Sequence, residues 1–325
     1  MQRRDFLKRG AAAAAGLAAS SKLLDPLTKA GESGKLTPIP KRPLGKTGVD
    51  LSIIALGGIV VMNTDPSFAN NIVAEAFDRG INYSDVAPQY GNAQSKLGPA
   101  LEPYRSRSFL SSKTAERTRR GSAKELEESL RLLRTDHLDL YQFHHLTTMD
   151  ELDTVLGPDG AMETIQAAKR VGKVRFIGFS AHSVEVALAA LDRYEFDTIL
   201  FPVNFVLFSQ ANFGPQVLAE AREKGMGILA LKGMAKTPWP KTMKESERPN
   251  PKCWHQPATL PEEAALGLRW TLSHPITAAV PPGDEKYFRL AMDVAQQFEP
   301  LKPEEEKTLL ARAKGVEPIF HLGKT

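Results

Sequence analysis

Short apolar runs alternate with longer amphipathic stretches along most of the chain. The apolar runs are Leu51 to Gly57, Asn82 to Ala87, Phe109 to Lys113, Leu138 to His144, Val174 to Ser180, Thr198 to Val203, Gly227 to Lys232 and Thr277 to Val280. Their length and composition suit buried strands. Helix-length segments lie between them, among them Phe68 to Arg79, Ser122 to Leu133, Ala161 to Val171 and a last one ending near Phe298. The Ser122 segment reads as a helix capped by its serine, with Glu125 in the first turn. Eight strands in alternation with helices predict an α/β fold, a single (β/α)8 TIM barrel over residues 42–325.

One connection is too long for such a frame. Gly233 to Pro261 contains Trp239, Trp254 and five prolines before Pro261. Long irregular connections are usually functional or mobile. This one leaves the end of the seventh strand, so 233–261 reads either as a lid over substrate or cofactor or as a surface excursion.

Composition changes the picture mainly at the N-terminus. The 325 residues carry a formal charge of +4, and residues 1–30 hold six basic side chains against two acidic ones. The rest is near neutral, so no nucleic-acid surface is expected. Arg3-Arg4-Asp5-Phe6-Leu7 followed by the alanine-rich stretch to Ala19 reads as a twin-arginine signal peptide, with cleavage between residues 20 and 30. The expected partner there is the twin-arginine export machinery, the expected compartment the periplasm. Residues 31–41 read as a tether. No later run is long and apolar enough for a stable membrane anchor. The single Cys253 can form neither an internal disulfide nor a cysteine metal cluster, and no metal site is expected.

Three of the strands end on residues able to do chemistry: Asp85, with Tyr90 five positions on, then Lys113, then His144. Functional residues at the C-terminal ends of successive parallel strands are the layout of a barrel active site. In these contexts and this order the four resemble the Asp-Tyr-Lys-His tetrad of the aldo-keto reductase family. The resemblance covers roughly Arg42 to Phe298. It implies a nicotinamide-dependent oxidoreductase that interconverts a carbonyl and an alcohol in a small polar substrate, with a sugar or sugar-derived ketone as the guess. Tyr90 would be the general acid/base, its pKa lowered from about 10 by Lys113, which Asp85 holds. His144 would donate a hydrogen bond to the carbonyl oxygen. Strand alternation separates His144 from His145, so both face the barrel mouth only if the strand has ended. The resemblance also implies that Arg42 to Val49 is a hairpin over the barrel floor.

No Gly-x-Gly-x-x-Gly follows the first strand, so a dinucleotide would lie across the barrel mouth, as in the family, rather than in a Rossmann site. Ser180 matches the family's carboxamide grip, but Ala181 stands where Asn is usual, leaving His182 as a substitute. Leu200 falls where the family has Gln, with Asn204 nearby. Lys232, at the end of the seventh strand, joins the cofactor set. Gly283 and Asp284 open the last helix, where free amides favour phosphate. Lys286 and Arg289 lie close by, while Glu285 and Asp293 occupy positions where a 2′-phosphate would need cations or amides. The cofactor is therefore NADP(H) or NAD(H). The alternative reading is a cofactor-sensing or interaction protein on the same scaffold, with little turnover.

Overall fold

The computed structural model describes residues 37–323. The leader and most of the tether lie outside the described residues. In chain order the strands are β1 (Lys41–Pro43), β2 (Asp50–Ser52), β3 (Leu56–Gly57), β4 (Tyr83–Asp85), β5 (Phe109–Thr114), β6 (Leu138–Leu146), β7 (Val174–Ala181), β8 (Thr198–Pro202), β9 (Gly227–Leu231), β10 (Ala235–Thr237), β11 (Gln256–Pro257) and β12 (Ala278–Val280). The helices are α1 (Pro66–Asp78), α2 (Ala93–Leu101), α3 (Arg119–Leu133), α4 (Met149–Leu156), α5 (Ala161–Arg170), α6 (Val184–Arg193), α7 (Phe205–Ala211), α8 (Pro215–Glu223), α9 (Pro261–Ser273), α10 (Glu285–Gln296) and α11 (Pro303–Ala313).

Eight strands form one parallel sheet in the order β3-β4-β5-β6-β7-β8-β9-β12. Its ends meet: the Ala55 amide donates to Ala279 and the Ala279 amide to Ile53, each at 2.9 Å. The fold is the expected TIM barrel. Its apolar residues form two separate cores. One lies between the sheet and its helices. The other fills the barrel and includes Tyr83, Phe109, Leu140, Leu200, Leu229 and Ala278. Alternation along each strand produces this division, because every second side chain points inward.

The run Leu51 to Gly57 is divided, not a single strand. Asp50–Ser52 turns back to pair with Lys41–Pro43, and only Leu56–Gly57 enters the barrel. Ser52 causes the break: its hydroxyl donates to the Ile54 carbonyl at 2.7 Å and its amide donates to Asn82 Oδ1 at 2.7 Å. The β1–β2 hairpin plugs the floor through Leu44 and Leu51, both in the inner core. Its turn needs glycine at Gly45, where φ is +51° and a Cβ would strike the Gly227 backbone.

Helix α3 begins earlier than expected. Thr118, not Ser122, is the cap, accepting from the Gly121 amide at 3.2 Å. Glu125 is thus a full turn inside the helix and free to reach elsewhere. The 233–261 segment carries the small antiparallel β10–β11 pair and a single turn at Glu245–Glu247. Among the described residues no helix is long and apolar enough to cross a membrane.

Candidate active site

The inward parity that builds the inner core also builds the site. On β4, Tyr83 and Asp85 share the inner face. On β5 it is Phe109, Ser111 and Lys113, and on β6 Leu140, Gln142 and His144. The lower members are apolar and fill the barrel. The upper members are polar and meet at its mouth.

Lys113 is fully buried there. Its ammonium donates to Asp85 Oδ2 at 2.5 Å and to the Val86 carbonyl at 3.1 Å, and the two side chains are 0% and 2% exposed. The other carboxylate oxygen, Oδ1, receives the Tyr83 hydroxyl at 3.3 Å and the Gln142 amide at 3.4 Å. Burial opposes the Lys113 charge, but Asp85 and Tyr90 outweigh it, and its pKa rises above the usual lysine value. The Tyr90 ring lies with its centroid 5.2 Å from the Lys113 ammonium, and the His144 ring meets it edge-on at 5.7 Å between centroids. The structure therefore brings Asp85, Tyr90, Lys113 and His144 together.

The sign of the Tyr90 shift is a correction. A lowered phenol pKa was expected. Burial pushes it up, and although Lys113 pulls it down, burial prevails. The hydroxyl keeps its proton at neutral pH. His144 moves the other way: burial, then Lys113, His145 and His182, hold it well below the ordinary histidine value, so the imidazole is neutral.

His145 is also placed differently from simple alternation. The β6–β7 register shifts between Phe143 and Leu146, and His145 has φ +43°. This bulge turns its ring to within 4.7 Å of His144 and 6.3 Å of His182 between centroids. Its amide donates to Ser180 Oγ at 2.7 Å, which fixes the serine at the end of β7.

A cavity of about 820 Å³, counted with its open mouth, joins these groups. Asp85, Tyr90, His144, Ser180, His182, Lys232 and Gly283 line it, with Leu200 and Val280 below. Lys252, Cys253, Trp254, His255 and Pro257 of the long connection line it too. Trp254 packs edge-on against Tyr90 at 5.9 Å between ring centroids. Lys252 donates to the Val60 carbonyl at 2.9 Å, tying the segment to the loop after β3.

The cofactor candidates divide into two groups. Ser180, His182, Lys232 and Gly283 reach the cavity. Lys232 has φ +72°, and its ammonium lies over the Trp254 ring, 5.8 Å from the centroid. Burial lowers its pKa to about 8, and no carboxylate among the described residues pairs with it. An uncompensated cation in a cavity suits an anionic group such as a pyrophosphate. The other group is engaged elsewhere. Asn204 spends its amide on backbone: Nδ2 donates to Lys232 and Ala235 carbonyls, and Oδ1 accepts from Val206 and Leu207 amides. It caps α7 and anchors the long connection. Asp284 caps α10, accepting from the Lys286 amide at 3.1 Å. Arg289 is ion-paired to both Glu75 and Glu285. Lys286 packs over the Tyr287 ring at 5.9 Å.

Sequence reasoning missed Tyr83 and Gln142, although each sits two positions before a site residue and parity alone marks both. It also missed Lys252 and His255, which no periodicity locates, and named Trp254 only as part of the long connection.

Comparison with known proteins agrees with this geometry. The model of the aldo/keto reductase family matches residues 54–305. The chain belongs to the aldo/keto reductase family. It is thus an oxidoreductase that works with a nicotinamide cofactor. Among curated relatives, L-galactose dehydrogenase of Arabidopsis thaliana is 29% identical over 225 residues, 62% of this chain and 67% of that protein. Aldo-keto reductase YhdN of Bacillus subtilis is 32% identical over 161 residues, 44% of this chain and 47% of its own length. The match thus spans about half of the Bacillus protein. In fold, the chain is similar to the holo form of aldo-keto reductase AKR11C1 from Bacillus halodurans, with a TM-score of 0.66 and 23% identity over 87% of this chain and 99% of that one.

The buried pair makes a stability prediction. Asp85→Asn leaves the Lys113 ammonium without its counter-ion and is expected to destabilise the fold by about 3–5 kcal/mol. The double variant with Lys113→Met should recover much of that loss. Because the folded Lys113 pKa lies above its ordinary 10.5, its contribution is complete below that pH and is lost as pH rises through the folded value. Urea denaturation of wild type and both variants at pH 8 and pH 11 checks this. Equal stability of Asp85→Asn and wild type at pH 8 would show that the pair is not an energetic centre.

Proposed function

We propose that this protein interconverts a carbonyl and an alcohol in a small polar substrate, a sugar or a sugar-derived ketone, with Tyr90 as general acid/base. The observation that carries this reading is the Tyr90 phenol at the cavity, stacked over an ammonium that Asp85 holds in a dry site. Reduction needs a proton on the donor, and a phenol whose pKa is raised by burial has one. Once the proton leaves, Lys113 faces the phenolate and stabilises it. Oxidation needs the opposite state, so it should accelerate with rising pH while reduction stays level through neutral pH. The polar mouth, with three histidines and two lysines, suits a hydroxylated substrate. The names of L-galactose dehydrogenase and of a 6-dehydroglucose reductase from Novosphingobium aromaticivorans, 30% identical over 179 residues, point to the same class.

When bound, the dinucleotide supplies or takes the hydride. Ser180 and His182 would hold its nicotinamide end and Lys232 its pyrophosphate. The expected test uses L-galactose for oxidation and 6-dehydroglucose for reduction. Tyr90→Phe should lower turnover by a factor of about 10³ or more while dinucleotide affinity changes little. Near wild-type turnover would remove Tyr90 from the chemistry. A dinucleotide bound tightly with no turnover on any sugar would favour the alternative, a cofactor-sensing scaffold.

The adenosine end favours NAD(H) over NADP(H). There Arg289 is already paired with two carboxylates, Arg79 pairs with Asp293, and Lys286 sits beside Asp284 and Glu285. A 2′-phosphate would meet this balanced group without a free guanidinium. NADH is expected to bind about tenfold more tightly than NADPH, a difference of about 1.4 kcal/mol. Titration of intrinsic tryptophan fluorescence reads both; equal or tighter NADPH binding would reverse the assignment.

We also propose that residues 1–30 direct export by the twin-arginine route to the periplasm. This rests on Arg3 and Arg4 ahead of the alanine-rich run. Changing both to Lys keeps the charge and removes the guanidinium pair. The double variant should accumulate inside the cell, as read by fractionation and immunoblot. Undiminished export would point to another route.

A further inference from the structure

Arg117 lies in the turn between β5 and α3. It does not line the cavity, but its guanidinium reaches the end of β6. Nη2 donates to the His144 carbonyl at 2.8 Å and to Glu151 Oε1 at 3.0 Å, and Nε donates to the same carboxylate oxygen at 3.3 Å. Glu151 is fixed in turn: its Oε2 accepts from the Thr147 amide at 2.7 Å and from the Thr147 hydroxyl at 2.9 Å. Burial opposes the Glu151 charge, but the Thr147 amide and Arg117 outweigh it, and its pKa lies below the ordinary glutamate value. Arg117 Nη1 is buried and has no partner among the described residues. A cation with one nitrogen unspent is costly to the fold, so its place here points to function.

The bond to His144 acts on one particular peptide. Its carbonyl receives Arg117, and its N–H, that of His145, donates to Ser180 Oγ at 2.7 Å. The peptide is thus gripped at both ends, by a cation and by a serine. It also leads into the bulge, where His145 has φ +43°, a left-handed value that a side chain keeps only when its surroundings hold it. A carbonyl that accepts from a cation makes its own N–H a stronger donor, and an oxygen that accepts such a bond becomes a stronger donor in turn. The effect ends on the Ser180 hydroxyl. His145 fills one of its acceptor positions, no acceptor among the described residues takes its proton, and the side chain lines the cavity.

We propose that Arg117 is a positioning residue that acts through the His144–His145 peptide to aim the Ser180 hydroxyl into the cavity as a donor for the carbonyl oxygen of a nicotinamide carboxamide. This rests on the reading of Ser180 as a holder of the nicotinamide end. Arg117 touches neither cofactor nor substrate. It sets the peptide plane, the peptide fills the serine's acceptor side, and the serine is left to donate.

The test has two arms. His144–His145 is the one His-His pair in the chain, so protein labelled with 13C- and 15N-histidine gives a single HNCO peak, from this peptide. Arg117→Met keeps the reach of the side chain and removes its charge, and should move the His144 carbonyl carbon and the His145 amide proton upfield. In the second arm, NADH and ADP-ribose, which lacks the nicotinamide, are titrated calorimetrically. Arg117→Met should weaken NADH binding about tenfold, the scale of one hydrogen bond, and leave ADP-ribose binding unchanged. Arg117→Lys keeps a cation without the fork, should show both effects in smaller measure, and decides the matter if Arg117→Met fails to fold. A peak unmoved in both variants, or an equal loss of NADH and ADP-ribose, overturns the proposal, the second because it marks a support of the fold alone. Ser180→Ala separates this from the cofactor reading. If it leaves NADH affinity at the wild-type level, the reading of Ser180 falls and the proposal with it. If it weakens NADH while Arg117→Met does not, the proposal alone falls.

Discussion

The ion pair between Lys113 and Asp85 is the constraint to which the rest of the site conforms. A fully desolvated ammonium is tolerable only beside its carboxylate and with its remaining protons engaged. The Val86 carbonyl takes one of those protons, and Tyr83 and Gln142 donate to the far side of Asp85. Each of these groups comes from the inner face of β4, β5 or β6, or from the residue just past β4. The barrel register must therefore hold for the pair to exist. Packing in the inner core, with Tyr83 and Phe109 directly beneath, keeps the strands in that register.

The long connection completes what the strands leave open. Barrel strands deliver side chains only from below, so an open mouth would leave Tyr90 and Lys232 facing water. Trp254 covers the edge of Tyr90 and lies over Lys232, and Trp239 donates to the Cys253 carbonyl at 2.8 Å to hold the segment's shape. Asn204 fixes the start of the same segment through Lys232 and Ala235. Its value to the site is thus architectural: it sets where the long connection begins.

Period and parity made the barrel and the tetrad legible. Strand ends at Asp85, Lys113 and His144 were readable because each shares the inward parity of an apolar side chain lower on its strand, Tyr83, Phe109 and Leu140. What failed to show were features decided between elements. Ser52 bends the first apolar run through local hydrogen bonds, which hydrophobicity does not report. The bulge at His145 depends on the β6–β7 pairing. Glu125 looked like a helix-start residue because the earlier cap at Thr118 lies outside the apolar repeat. Arg289 looked available for phosphate because the competing Glu75 lies on α1, far off in sequence. The sign of the Tyr90 shift was unreadable for the same reason: composition names the cation beside the phenol but not how completely both are removed from water.

The charges around the cavity follow from this removal. Three ammoniums, Lys113, Lys232 and Lys252, line or underlie it, and only Asp85 among its lining residues carries a carboxylate. In a dry site a further positive charge is expensive, so His144, His182 and His255 are all held below the ordinary histidine value, His255 to about 3. Burial is the leading cause for each, and the lysines add to it. Neutral imidazoles can offer or accept a hydrogen bond without altering the charge, so they suit recognition of hydroxyls. Lys113 is already matched by Asp85. The excess positive charge therefore resides on Lys232 and Lys252, and Lys252 already donates to the Val60 carbonyl. A site with unmatched cations and neutral imidazoles around it is balanced when an anion enters beside Lys232. That condition ties binding of a phosphate-bearing cofactor to the electrostatic balance of the whole mouth.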